Sequence, residues 1–148
     1  MSPHEAEREV RETPGPAENG EGPRLSVVLP HTQIALTAIA LREAVRLARG
    51  LNARVIVLCV RVVPFPQDLD PTRGCPDLSE LMTLAESTGE PVAINVVYAR
   101  NWESACEHAL SRGSVVVMAV RKRWFRSREE RMAVWLARCG YNVTTIPA

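Results

Sequence analysis

Ser114-Val115-Val116-Val117-Met118-Ala119-Val120-Arg121-Lys122-Arg123-Trp124-Phe125-Arg126-Ser127 is the stretch whose reading decides the fold. Six consecutive apolar residues rich in valine predict a strand covered on both faces, the pattern of a parallel sheet. A basic turn follows, and Ser127 with Glu130 three residues on fits a capping box opening the next helix. In a doubly wound α/β domain, ligands bind where a central strand hands over to its helix in this way.

Working outward, the same strand–helix alternation recurs along the chain. Leu25–Leu29 reads as a buried strand ending at Pro30. A helix is predicted from about Gln33 to Arg49, with Ala38, Leu41, Val45 and Ala48 inward and Gly50 as its stop. Ala53–Val60 is a second covered strand, and two strands joined by a helix make a right-handed βαβ unit. Arg61–Pro76, with Pro64, Pro66, Pro71, Gly74 and Pro76, reads as a loop. Asp77 or Ser79 can cap the next helix, in which Leu78, Leu81, Met82 and Ala85 face inward and which Gly89 ends. Pro91–Tyr98 is the third strand, Trp102–Arg112 a short helix, and Arg128 to Cys139 the last helix, with Met132, Trp135, Leu136 and Cys139 on its buried side. Tyr141–Ile146 alternates in polarity, as a sheet edge does. The sum is a three-layer α/β/α domain on a five-stranded parallel sheet.

Composition narrows the function classes. The 148 residues carry a net charge of +1 and 46% hydrophobic side chains, which suits one globular domain. The charge is unevenly placed: residues 1–23 hold Glu5, Glu7, Glu9, Glu12, Glu18 and Glu21 against Arg8 and Arg11. That segment is therefore about −4 and the remainder about +5. With almost no large apolar side chain, 1–23 is expected to be a disordered acidic tail, with at most a short helix over Glu5–Glu12, and 24–148 the folded domain. Cys59, Cys75, Cys106 and Cys139 lack metal-ligand or CxxC spacing, so free thiols are expected, buried where they fall in strand or helix patterns. No apolar run approaches the ~20 residues of a membrane span, and the expected location is cytoplasmic.

Leu29-Pro30-His31, the helix end Ala44-Val45-Arg46-Leu47-Ala48-Arg49 and Val117-Met118-Ala119, in this order and spacing, resemble the universal stress protein family over about residues 24–147. The resemblance implies an adenine nucleotide alpha hydrolase-like fold, strand order 3-2-1-4-5, and homodimers made by pairing the last strands. Many members of that family bind ATP through an aspartate after the first strand and a Gly-x-x-Gly loop with a later Gly-Ser/Thr after the fourth. Here Thr32 stands at the aspartate position, Lys122 and Phe125 at the two glycines, and Glu129 and Glu130 at the Gly-Ser step. Glycines let backbone N–H groups close on phosphate oxygens, whereas two carboxylates in a first helical turn repel a triphosphate. A regulatory binding module without family-type ATP binding is therefore expected, with no required cofactor and no metal.

Two further readings rest on the turn itself. Arg121, Lys122, Arg123, Arg126, Arg128 and Arg131 against Glu129 and Glu130 make 121–131 about +4. Guanidinium forks in such a loop suit phosphate, a nucleotide or an acidic protein; solvated pairs such as Arg126–Glu130 account for the same charges. The first reading makes the chain a phosphate- or nucleotide-ligand binding protein or enzyme, with Arg121, Lys122, Arg123 and Ser127 facing Pro30, His31 and Thr32. The second makes it a module docking on nucleic acid or an acidic protein through Arg123, Trp124 and Arg126. Trp124 and Phe125 are expected to fill the ligand position rather than to stack on a base. His31 reads as structural more readily than as a base, His108 as a surface residue, and Asp77 as a turn or cap residue. No nucleophile–base constellation is legible, which favours binding over catalysis.

Overall fold

The structure is a computed structural model and describes residues 10–12, 25–63, 77–121, 124 and 126–148. In chain order the elements are β1 (Val10–Glu12), β2 (Ser26–Pro30), α1 (Ile34–Leu51), β3 (Arg54–Val62), α2 (Leu78–Ser87), β4 (Val92–Ala99), α3 (Trp102–Ala109), β5 (Val115–Val120), α4 (Arg128–Arg138) and β6 (Asn142–Pro147). They build one sheet in the order β1-β4-β3-β2-β5-β6. Leaving β1 aside, the five strands are parallel and follow the expected 3-2-1-4-5 order. β1 was not anticipated: Val10–Glu12 is extended and pairs antiparallel with β4, Val10 opposite Val96 and Glu12 opposite Ile94. Three residues there are neither helical nor unstructured, because the outer edge of β4 offers their backbone a ladder. The other residues of 1–23 lie outside those described.

Two cores separate on the two faces of the sheet. Alternate side chains of the strands (Val27, Leu29, Val55, Val57, Ile94, Val117) pack with Leu36, Leu41 and Val45 of α1 and Leu81 and Ala85 of α2. The opposite set (Val28, Leu58, Val97, Val116, Met118) packs with Cys106 of α3 and Met132, Ala133 and Leu136 of α4. Trp102 and Trp135 join α3 to α4 edge-to-face, with ring centroids 5.4 Å apart.

Some boundaries move for identifiable reasons. Gly50 stays within α1; Asn52 takes the left-handed turn at φ 51°, and the N–H groups of Asn52 and Ala53 both close on Ala48 O. Ala38 is only half-buried, its place in the inner stripe taken by Ala40 and Ala44. Cys139 is exposed rather than buried: it caps α4, where the chain has already left the sheet and Gly140 turns at φ 95°. Cys59 and Cys106 are buried free thiols, and Cys75 lies outside the described residues. Among the described residues no helix is long and apolar enough to cross a membrane.

Candidate functional site

The strand order reverses between β2 and β5, and there the two strands part. Their ladder consists of Val27 opposite Val115 and Val28 opposite Val116. β2 continues to Pro30 and β5 to Val120 without pairing to one another. Parallel strands that separate at a switch point open a crevice at their carboxyl ends. Pro30, His31 and Thr32 leave on one side of it, and Arg121, the turn and Ser127 on the other. Lys122, Arg123 and Phe125 lie outside the described residues.

On the β2 side the polar groups are already engaged. The backbone N–H of His31 donates to Leu58 O at 2.8 Å, tying the turn to β3. The imidazole is buried, with Nδ1 2.7 Å from the hydroxyl of Thr37 and Nε2 2.8 Å from Oδ2 of Asp77. With Nε2–H donating to Asp77, Nδ1 accepts the Thr37 hydroxyl hydrogen; the tautomer is assigned from this network. Asp77 is the N-cap residue of α2 in position, yet its side chain caps nothing in that helix. Its carboxylate instead spans 46 positions to hold His31, a partnership no local pattern announces. Thr37 is 2% exposed, so a nucleophilic hydroxyl has no access to substrate here. Thr37–His31–Asp77 is a brace that ties the start of α2 to the start of α1. Thr32 is half-buried and stands next to it.

The β5 side is organised by the start of α4. Ser127 Oγ accepts the Glu130 N–H at 3.2 Å, as the capping-box pattern predicts. Glu129 is 6% exposed and Glu130 half-buried in the same turn. The helix's positive end thus faces carboxylates of its own chain, and Ser127 is occupied as a cap. Arg121 is half-buried, while Arg126, Arg128 and Arg131 are exposed. The Arg126–Glu130 pair is not formed among the described residues; the ion pairs there are His31–Asp77, Glu43–Arg46 and Arg49–Glu90. Trp124 overturns the expectation that it plugs the crevice: it is fully exposed. An indole with no apolar cover on a basic turn is a surface feature that suits contact with a partner.

Among the described residues no group of three or more His, Cys, Asp or Glu side chains is placed to hold a metal ion. Of the sequence-predicted site, the fold brings Pro30, His31, Thr32, Arg121 and Ser127 to one end of the sheet. His31 and Ser127 are committed to structure there, while Thr32 and Arg121 flank the crevice.

This arrangement is that of a doubly wound α/β protein whose crevice lies between its first and fourth parallel strands. Two solved structures share it. A universal stress protein from Archaeoglobus fulgidus superposes with a TM-score of 0.61 at 15% identity, over 82% of this chain and 93% of that one. A universal stress protein in complex with cAMP gives 0.54 at 16%, over 84% and 97%. The chain therefore has the universal stress protein fold, as the sequence resemblance implied. No family model and no curated protein sequence matches it.

Proposed function

We propose that the chain is a stress-protein-like regulatory binding module, dimeric through β6, whose basic turn receives an anionic group and which does not bind magnesium–ATP in the family manner. The observation that carries this is the self-satisfied start of α4. Ser127 takes the Glu130 N–H, and the Glu129 carboxylate is buried in the same turn, where a phosphate-binding helix would present free N–H groups. A triphosphate brought there meets like charge. A group of lower charge held by Arg121 avoids that conflict, and the cAMP complex of one neighbour supports a ligand carrying a single phosphate. The exposed Trp124 and the cations about it favour a partner over a deeply enclosed substrate.

Thermal unfolding with added ligands tests this directly. Magnesium–ATP to millimolar concentration is expected to leave the melting temperature unchanged, since a ligand that binds the native state raises it in proportion to its occupancy. A heparin oligosaccharide is expected to bind with salt-dependent affinity and to lose at least about fivefold in Arg121→Ala/Arg126→Ala. Stabilisation by magnesium–ATP would sink the first half of the proposal; polyanion binding that is absent, or indifferent to those arginines, would sink the second.

A further inference from the structure

We infer that the segment preceding β1 is the first occupant of the basic turn, carrying Glu5, Glu7 and Glu9 onto the face formed by Arg121, Arg126 and Arg128. This rests on the anion-receiving reading of that turn and names the anion.

The direction of β1 is what assigns it. β1 runs antiparallel to β4, so the chain before Val10 leaves the sheet toward the carboxyl ends of the parallel strands. Val10 stands opposite Val96, Val96 opposite Cys59, and the residue before Cys59 opposite Pro30. Val10 is thus level with the turn at His31, at the same end of the sheet as Arg121 and Ser127. From β1 to β5 there are four strand spacings, about 19 Å in all. The nine residues before Val10 reach roughly 30 Å when extended, enough to cross that end. Glu12, Glu18 and Glu21 follow β1 and are led toward the opposite end. On an extended chain Glu5, Glu7 and Glu9 share one face, by the two-residue period. The tail therefore supplies a row of carboxylates to guanidinium groups, and it competes with any other anionic partner for them.

Lys122 is the sole lysine of the chain, which makes zero-length carbodiimide coupling a site-specific test. In the full-length protein at low salt, Lys122 is expected to couple to Glu5, Glu7 or Glu9, with the product lost in 0.5 M sodium chloride, about a threefold shorter screening length than at 0.05 M. Mixing isotopically labelled and unlabelled protein distinguishes contact within a chain from exchange between copies, and either supports the occupancy. Coupling of Lys122 only to Glu18, Glu21 or carboxylates of the folded domain, or no coupling at all, overturns it. As a second measurement, Glu5→Gln/Glu7→Gln/Glu9→Gln is expected to bind a heparin oligosaccharide at least about fivefold tighter than the unmodified chain at low salt. Equal, measurable affinities overturn the competition. If neither protein binds heparin, the anion-receiving reading of the turn fails, and the cross-link alone decides where the tail lies.

Discussion

His31 shows how far single residues can be read. Its place at a strand end was legible, and so was its structural rather than catalytic character. Its partner was not, because Asp77 lies beyond a proline-rich segment and reads locally as a helix cap. Periodicity reports which side chains share an element, whereas this contact joins two elements 46 positions apart. Removing the imidazole leaves the Thr37 hydroxyl, 2% exposed, without its acceptor, so His31→Ala is expected to cost about 1–3 kcal/mol in urea unfolding. Asp77→Ala should cost less. The double variant should fall short of the sum by at least about 0.5 kcal/mol, as for groups in direct contact; strict additivity would show that the brace carries no coupling. Cys106 makes a second residue-scale test. Burial, then the nearby Glu103, Cys139 and Glu107, push its thiol up from 9.0 to about 12. The folded thiol keeps its proton where the unfolded chain loses it, so its contribution is full below pH 9 and is lost as pH rises toward 12. Tyr141, also raised chiefly by burial, adds the same sign at higher pH. The urea midpoint should fall between pH 9 and 10.5, and fall less in Cys106→Ala. In a Cys75→Ser background, Cys139 should react with a thiol reagent in the native protein, and Cys59 and Cys106 only on unfolding.

At the scale of elements, the strands and helices with strong apolar patterns were legible and the weakly specified ends were not. Val115–Val120 is a continuous apolar run and forms β5 as written. Ser127 and Glu130 announced the start of α4, and the hydrogen bond between them forms. Helix ends depend on single backbone torsions, and a glycine nearby misleads when an asparagine two residues on takes the left-handed position, as at Asn52. Cys139 falls on the apolar stripe of α4 by period alone, but a stripe says nothing of where the sheet beneath it stops. β1 had no pattern to find, since its reason for being extended is the edge of β4 rather than its own three residues. The α4 cap has a measurable strength: Ser127→Ala should destabilise the fold by about 1 kcal/mol and Ser127→Asp by much less. Leu136, fully buried beneath the same helix, should cost about 2–5 kcal/mol as alanine. If Ser127→Ala matched that loss, the serine would be holding more than the helix end.

For the whole molecule, the decisive feature is that the sheet's two edges differ. The order of the five parallel strands came from a likeness in spacing and is the order found; how copies of the chain meet depends on which edge is left open. On one side β1 covers β4. On the other, β6 ends the sheet, pairing with β5 from Asn142 to Pro147 and leaving its outer backbone groups unmatched. Thr144 and Thr145 are exposed along it, and β6 carries no charged side chain to repel another strand. Unguarded edges of this kind pair with their like, and antiparallel pairing of two β6 strands about a twofold axis closes the assembly as a dimer with no edge left over. The proposed dimer therefore places lysines introduced at Thr144 and Thr145 close to their counterparts in the second copy, where like charges oppose pairing. Sedimentation of the unmodified protein is expected to show a concentration-dependent monomer–dimer equilibrium, shifted to monomer in Thr144→Lys/Thr145→Lys with the melting temperature of the monomer preserved. A dimer unaffected by both lysines would place the contact elsewhere, and deletion of residues 1–12 would then show whether copies meet through β4 instead.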